Sequence, residues 1–400
     1  MAMITAAGGA AVLASDEDFS LVLGGPLYQL YLRSRLVRPP ADLVGRRIGA
    51  LLVLTWVPLF VLSLLGGSAI DGVPVPFLTD LDVHVRFLIA LPLLIVAEVV
   101  VHRRLRGTVR QFIERGIVVG EQLAAYREIV ESTMRLRNST VIEVVLIAAG
   151  ITLGDVIWRG ATALHVDTWY STADAAGVPG LTLAGWWYAF ISLNVFRFIL
   201  LRWYFRIILW YIFLWRVARL PLRLNALHPD HAAGLGFLAG SAFALLPLMV
   251  AHTTTLSGVI GGRIWHEGAQ LQQFQLEIAS SVGLLMAGAL LPLAFFALRI
   301  ALAKREALRD YGLFAARYVD EFRDKWLARR AGETPLGSAD LQSLSDLAGG
   351  NDTLASTGFL PIGRRAIVTL GVLTALPFAP LLLTIIPFED LLQRVITKMV

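Results

Sequence analysis

Runs of apolar residues separated by short polar stretches recur along the chain, at about 48–66, 85–102, 141–158, 185–206, 233–256, 277–299 and 366–388. Each holds about 18 or more mostly apolar residues, enough at about 1.5 Å per residue to cross a hydrocarbon core of about 30 Å. The pattern predicts an all-α, polytopic transmembrane helical bundle of about seven spans, because a helix satisfies its own backbone polar groups in lipid.

Two stretches between the runs show helical period with charges interleaved. In the insertion 103–140, Val109, Phe112, Ile113, Val119, Leu123, Ile129, Val130 and Met134 recur at helical spacing. After the sixth run, Leu308, Tyr311, Phe314, Tyr318, Phe322 and Trp326 line one side of a second amphipathic helix that ends near Gly332. These faces pack against each other or on the membrane surface. In the linker 331–363 a short helix from about Ser338 to Ala348 is predicted, stopped by Gly349 and Gly350.

The chain thus divides into an N-terminal segment 1–47, spans one to six over 48–299, a helical region and linker over 300–365, and a last span with an amphipathic tail over 366–400. Pro377, Pro380 and Pro387 predict a kinked or broken last helix. A full crossing is preferred there, with a re-entrant hairpin as the alternative. The first twenty residues lack a basic region ahead of their apolar stretch and read as a disordered or loosely attached tail rather than a cleaved signal.

Composition agrees with a membrane protein: 56% hydrophobic residues, 16% charged, mean hydropathy +0.67. There is no cysteine, which excludes disulfides, thiolate metal sites and thiol nucleophiles. The net charge of +5 raises the question of a nucleic-acid partner. Placement answers it, since 29 of the 35 Lys and Arg fall in alternate connections and orient the N-terminus toward the cytoplasm. No nucleic acid is required. The expected setting is a bacterial inner (plasma) membrane, with the C-terminus periplasmic if the last segment crosses.

The stretch Arg202 to Gly240, "RWYFRIILWYIFLWRVARLPLRLNALHPDHAAGLGFLAG", resembles a group of uncharacterised bacterial polytopic inner-membrane proteins. Members share an arginine-bearing aromatic helix, a His-Pro-Asp turn and a Gly-Leu-Gly-Phe helix start. Leu227 stands where the group's pattern has threonine, and Ala233 where a second glycine would fit. The resemblance implies location and architecture and brings no activity with it.

Candidate chemistry sits in three places. Arg206 lies near the inner end of the fourth run and can snorkel, Arg202 about 6 Å deeper and Arg197 about 13 Å deeper. An arginine at that depth has to face protein or water. Glu98 stands at a depth similar to Arg202, and a Glu98–Arg202 pair is the simplest proposal, either structural or part of a pathway. Glu143 reads as part of a capping box with Thr140, and Asp155 lies toward the outer end of the same run. His252 and Thr255, with neighbouring hydroxyls, mark the outer end of the fifth run; they bond their own helix or line a water-filled path.

At the turn, Asp230 caps the following helix, while His228, Asp230 and His231 are poorly spaced for a metal, and none is expected. With Arg216, Arg219 and Arg223 just before exposed backbone amides, the turn is also a candidate for an anion or an anionic lipid headgroup. No cofactor motif, nucleophile or catalytic dyad stands out. The leading expectation is a channel or transporter for an ion or small solute. The alternative is a non-transporting scaffold or sensor acting through its cytoplasmic helices, and a homo-oligomer is compatible with either.

Overall fold

A computed structural model of the chain describes residues 19–25, 28–29, 43–157, 168–173, 179–328 and 339–384, without the side chains of 151, 153–157, 173, 179 and 328. The helices are α1 Val44–Leu65, α2 Leu81–Glu114, α3 Gln122–Arg137, α4 Thr140–Ile157, α5 Leu183–Ala218, α6 Gly236–Glu267, α7 Leu271–Ala294, α8 Ala297–Phe322, α9 Ala339–Ser356 and α10 Arg364–Thr384. A short antiparallel hairpin, β1 Ser171–Ala173 with β2 Pro179–Leu181, precedes α5.

Among the described residues six helices are long and apolar enough to span a membrane: α1, α2, α5, α6, α7 and α10. This corrects the expected seven. The third run does form a helix, α4, but its apolar described part, Thr140–Gly150, falls short of that length. Phe87 of α2 packs on Tyr188 and Phe196 of α5, and further along Glu98 meets Arg206, so the two helices run parallel. The chain therefore returns along α4 before α5 begins.

Helix α2 lies at the centre, packed on α1 and α6 and touching α5, while α5 is flanked by α3, α4 and α7. Helices α2 and α5 hold 34 and 36 residues, about 51 and 54 Å, and overshoot a 30 Å core by about 20 Å. The overshoot is where the insertion packs. Val109, Phe112, Tyr126 and Val130 are buried there, and Tyr126 donates to the Val109 carbonyl at 2.8 Å. The apolar face of 103–140 thus packs against α2 and the C-terminal half of α5.

Both long helices carry a turn of wider π winding, Val85–Ala90 and Tyr188–Ser192. In α2 it precedes Pro92, which has no N–H to return to Leu88. The prolines of α10 act as expected: regular helix ends at Ala375 and tighter 3₁₀ winding follows over Leu376–Thr384. Pro387 and the tail lie outside the described residues, as does the side chain of Asp155.

The fifth run was drawn too short. Helix α6 continues to Glu267, which puts His252 near its middle rather than at its end. The predicted stop at Gly349 and Gly350 also fails, because α9 runs through both to Ser356. The reason is contact: Gly350 lies under the Tyr311 hydroxyl of α8, which donates to the Leu347 carbonyl at 2.7 Å, so a side chain there would block the α8–α9 approach. Tyr318 and Trp326 bind Asp340 in the same hairpin.

Candidate functional site

Three spanning helices bring charges to one level. Arg47 stands 18 residues from Leu65, Glu98 17 residues from Leu81 and Arg202 19 residues from Leu183, so each lies about 25–29 Å from the charge-poor end of its helix. Glu98 Oε1 accepts from Arg206 Nη1 at 2.9 Å and lies 3.5 Å from Arg202 Nη1, while Oε2 pairs with Arg47. Arg202 Nε is 3.5 Å from Glu143 Oε1 of α4. All five side chains are buried, with relative exposures of 2 to 7% for the residues. A charge this deep persists only where partners replace its water.

Sequence reading found the Glu98–Arg202 pair but treated Arg206 as free to snorkel. Arg206 is 4% exposed and is the closer partner of Glu98. Its end of α5 is covered by α3 and by residues 19–25, the first two of which close the stretch expected to be loose.

The segment Phe19–Gly25 is threaded into the bundle. Phe19 is fully buried against Trp210 and Phe213, and Leu21 and Val22 are each 2% exposed. Three arginines take its alternate carbonyls: Arg137 Nη1 donates to Ser20 O, Arg206 Nη2 to Val22 O at 3.4 Å and Arg202 Nη2 to Gly24 O at 3.2 Å. Ser20 Oγ lies 2.9 Å from His102 Nδ1, and the Gly25 amide donates to Asn138 Oδ1 at 3.2 Å. Burial, with Arg202 close by, pulls the Arg137 guanidinium down to about 10, so it remains charged at neutral pH. Phe19 and Ser20, the described end of the expected tail, are therefore built into the core with residues 21–25; residues 1–18 lie outside the described residues.

Of the other expected pathway residues, His252 and Thr255 bond elsewhere. His252 Nδ1 meets the Leu248 carbonyl at 2.8 Å and its Nε2 accepts from Tyr204 at 2.5 Å. Tyr204 is two residues from Arg202, about 200° around the helix, and is 42% exposed on the bundle's outer surface. Thr255 bonds the Ala251 carbonyl four residues back at 2.9 Å. Arg197 is half-buried on α5, one and a half turns from Arg202 toward the charge-poor end.

The turn after α5 is closed by its own carboxylate. Asp230 Oδ1 accepts from the Ala232 and Gly234 amides at 2.9 and 3.1 Å, and Oδ2 from Gly236 at 2.8 Å. Burial raises its pKa, but these three amides and nearby His228 outweigh burial and hold it below the usual carboxylate range. The amides that could have met an anion are thus engaged by Asp230. His231 Nδ1 lies 3.0 Å from Ser356 Oγ, and its carbonyl accepts from Gly358 at 2.9 Å, so the turn docks the end of α9. Among the described residues, no three His, Cys, Asp or Glu side chains are grouped to hold a metal.

The arginines nearby are dispersed. Arg216 donates to Ser132 of α3 at 2.8 Å, Arg219 stacks on Trp215 at 3.6 Å, and Arg223 is exposed, with its backbone amide bonded to Ile117 O at 2.9 Å.

Sequence reasoning also missed a polar cap at the opposite end. Asp80 starts α2 and accepts from the buried Trp169 indole at 2.8 Å; burial, helped by Asp82, pushes its carboxyl up to about 6. Arg86 forks onto both Asp82 oxygens at 2.6 and 2.7 Å. The Asp82–Arg86 spacing was legible as a helical pair; the reach of Trp169 to Asp80 was not.

Comparison with protein-family models, curated proteins and solved structures finds no match for the chain. What the fold defines is a polytopic α-helical membrane protein with a buried, arginine-rich charge cluster in its core. Guanidinium forks around a carboxylate can hold, exchange or screen an anionic group.

Proposed function

We propose that the protein is a transporter or channel for a small solute in a bacterial inner membrane, with its N-terminus cytoplasmic. Supporting this reading is the cluster around Glu98. A structural ion pair needs one guanidinium and one carboxylate, whereas here Arg47, Arg202 and Arg206 converge on one carboxylate shared among α1, α2 and α5. Charged groups within a bundle mark solute paths more often than packing devices, because hydrophobic residues stabilise such a core as well or better. The charge-rich end is assigned to the cytoplasm by its Lys and Arg, and the return along α4 leaves α10 running outward.

The test is flux in proteoliposomes under imposed gradients of anions, cations and protons. Flux above empty vesicles that Glu98→Gln abolishes supports the reading; absence of any flux for every gradient removes it. Orientation is tested separately by cysteines replacing the exposed Asp71 and Glu121 in the cysteine-free chain, with only the first labelled from outside the cell.

A second reading, a membrane scaffold or sensor, has its own observation. Leu313 and Phe314 of α8 are 58 and 57% exposed, Phe314 beside the Tyr311 ring that engages α9. In-cell crosslinking from position 314 to one defined partner, together with silent proteoliposomes, would favour it.

A further inference from the structure

The charge-poor end of the bundle holds a buried carboxyl without a cation. Asp80 is 9% exposed, and its oxygens accept from the Trp169 indole at 2.8 Å and the Val83 amide at 3.4 Å. Among the described residues no cationic side chain bonds it, and Arg86 is paired with Asp82 instead. Two neutral donors replace only part of the water that an ionised carboxylate loses on burial, so the pocket fits the protonated acid better than the anion. The raised pKa of about 6 agrees, since burial and Asp82 outweigh the two hydrogen bonds and Arg86.

Trp169 links this carboxyl to the closing of the end. Its ring is fully buried, with its centre 5.0 Å from that of Phe77 and 5.2 Å from that of Tyr188, so it fills the space between the entry to α2 and the start of α5. Its amide donates to the Val75 carbonyl at 3.0 Å, and its carbonyl accepts from the Thr182 hydroxyl at 2.8 Å. Further into the bundle both helices carry their π turns at one level, where Phe87 meets Tyr188 at 6.3 Å. Such turns are where long helices bend. The end that Trp169 plugs can therefore open by bending α2 and α5 at the same height.

Other titratable groups face this pocket from each side. Helix α2 brings Asp82, His84 and Arg86, α5 brings Tyr188, and the Trp169 segment brings Tyr170. Helix α6, packed on the first turn of α2, brings Arg263, His266 and Glu267 at its end. His266 bonds the Thr79 carbonyl at 3.0 Å and His84 accepts from Trp56 at 3.1 Å, so neither bonds Asp80. Helix α1 brings no charge to this end, and Asp71 in the connection 66–79 is exposed.

We propose that Asp80 is a proton-binding site that locks this end of the bundle. The protonated carboxyl holds Trp169 between α2 and α5; the ionised carboxylate favours a conformation in which the tryptophan withdraws and water reaches Asp80. In the closed form the carboxyl binds its proton at about pH 6, and in the open, solvated form at about pH 3.9. Between these values the closed form binds more protons, so falling pH closes the end and rising pH opens it. From pH 5 to pH 7.5 the ratio of open to closed molecules rises about tenfold. The proposal goes beyond the transport reading and does not rest on it, since opening is measured without flux.

The test is hydrogen exchange of the full chain in detergent at pH 5 and pH 7.5, read as protection factors so that the intrinsic pH dependence of exchange is removed. Protection over residues 168–171 of the native protein falls about tenfold between the two. In Asp80→Asn, which is neutral at both pH values and still offers the indole an oxygen, protection stays high and flat. Equal protection of the native protein at both pH values overturns the proposal. The same fall in Asp80→Asn also overturns it, and moves the titration to His84 or His266.

A second measurement needs no change at Asp80. Val75 is 2% exposed and its carbonyl takes the Trp169 amide, whereas Ile70 in the same connection is 69% exposed. The maleimide rate at Val75→Cys, divided by the rate at Ile70→Cys, rises about tenfold from pH 5 to pH 7.5, because the exposed site cancels the thiol's own pH dependence. A constant or falling ratio overturns the proposal.

Discussion

Arg202 and Gly24 are separated by 178 residues, and the arginine's Nη2 donates to the glycine carbonyl at 3.2 Å. The same guanidinium reaches Glu98 through Nη1 and Glu143 through Nε. One side chain therefore joins the N-terminal segment, α2 and α4 to α5. Such a group stabilises the bundle only while its partners are present, since each stands in for water that a buried cation has lost.

The centre of the network is Glu98 rather than any one arginine. Glu98→Gln leaves Arg47, Arg202 and Arg206 without the carboxylate they share, and losing one partner of a buried ion pair costs about 3–5 kcal/mol. Arg202→Gln leaves Glu98 with two arginines and should cost less. Thermal unfolding of both variants in detergent gives the order; a larger loss for Arg202→Gln would move the centre of the network to that residue.

How much of this was legible depends on whether the determinant is local or remote. Depth along a helix is local, and counting residues from the ends placed Glu98 level with Arg202. Burial of Arg206 is remote: it depends on Phe19–Gly25 folding back across the bundle, and no periodicity in seven residues announces that. Arg47 was counted as a topology signal only, although its partner is 51 residues away on α2. The amides after Asp230 were read as exposed to an approaching anion, but they bond Asp230 itself, because a turn this short returns them to its own carboxylate.

Gly349 and Gly350 look alike in sequence and should behave oppositely. No other group lies within 4 Å of where a Cβ at Gly349 would sit, so Gly349→Ala gains helix propensity of about 1 kcal/mol in α9. At Gly350 the added carbon meets the Tyr311 hydroxyl and ring, so Gly350→Ala should loosen α9 from α8. Hydrogen exchange over Ala339–Ser356 reads both, with protection raised in the first and lowered in the second. Equal effects would mean that α9 does not pack here as described.

Asp230 sets a pH dependence whose sign follows from its depressed pKa. The stabilisation it contributes is fully present above the unfolded carboxylate value of about 3.9 and is lost as pH falls through the lower folded value. Acid should therefore release the amides of Ala232, Gly234 and Gly236 together. Asp230→Asn turns an NH2 group toward at least one of them, costing about 1–3 kcal/mol for the unsatisfied donor, and removes this acid step. Exchange rates at the three amides, compared between wild type and variant from pH 6 to pH 3, would show an acid step in one and a flat profile in the other; an acid step in both would place its origin elsewhere.

Tyr204 and His252 provide the control for the proposed path. They lie across α5 from Arg202, and their hydrogen bond joins α5 to α6 at the bundle's outer surface. Hydrogen bonds between membrane helices average about 0.6 kcal/mol in double-mutant cycles, because the separated helices find other partners. The cycle of Tyr204→Phe with His252→Ala should return a coupling of that size in thermal stability. Neither variant should change solute flux in proteoliposomes, whereas Glu98→Gln should abolish it. Flux lost on His252→Ala would put the histidine on the path and require a conformation in which α5 turns the Tyr204 face inward, since Tyr204 now lies about 200° around α5 from Arg202.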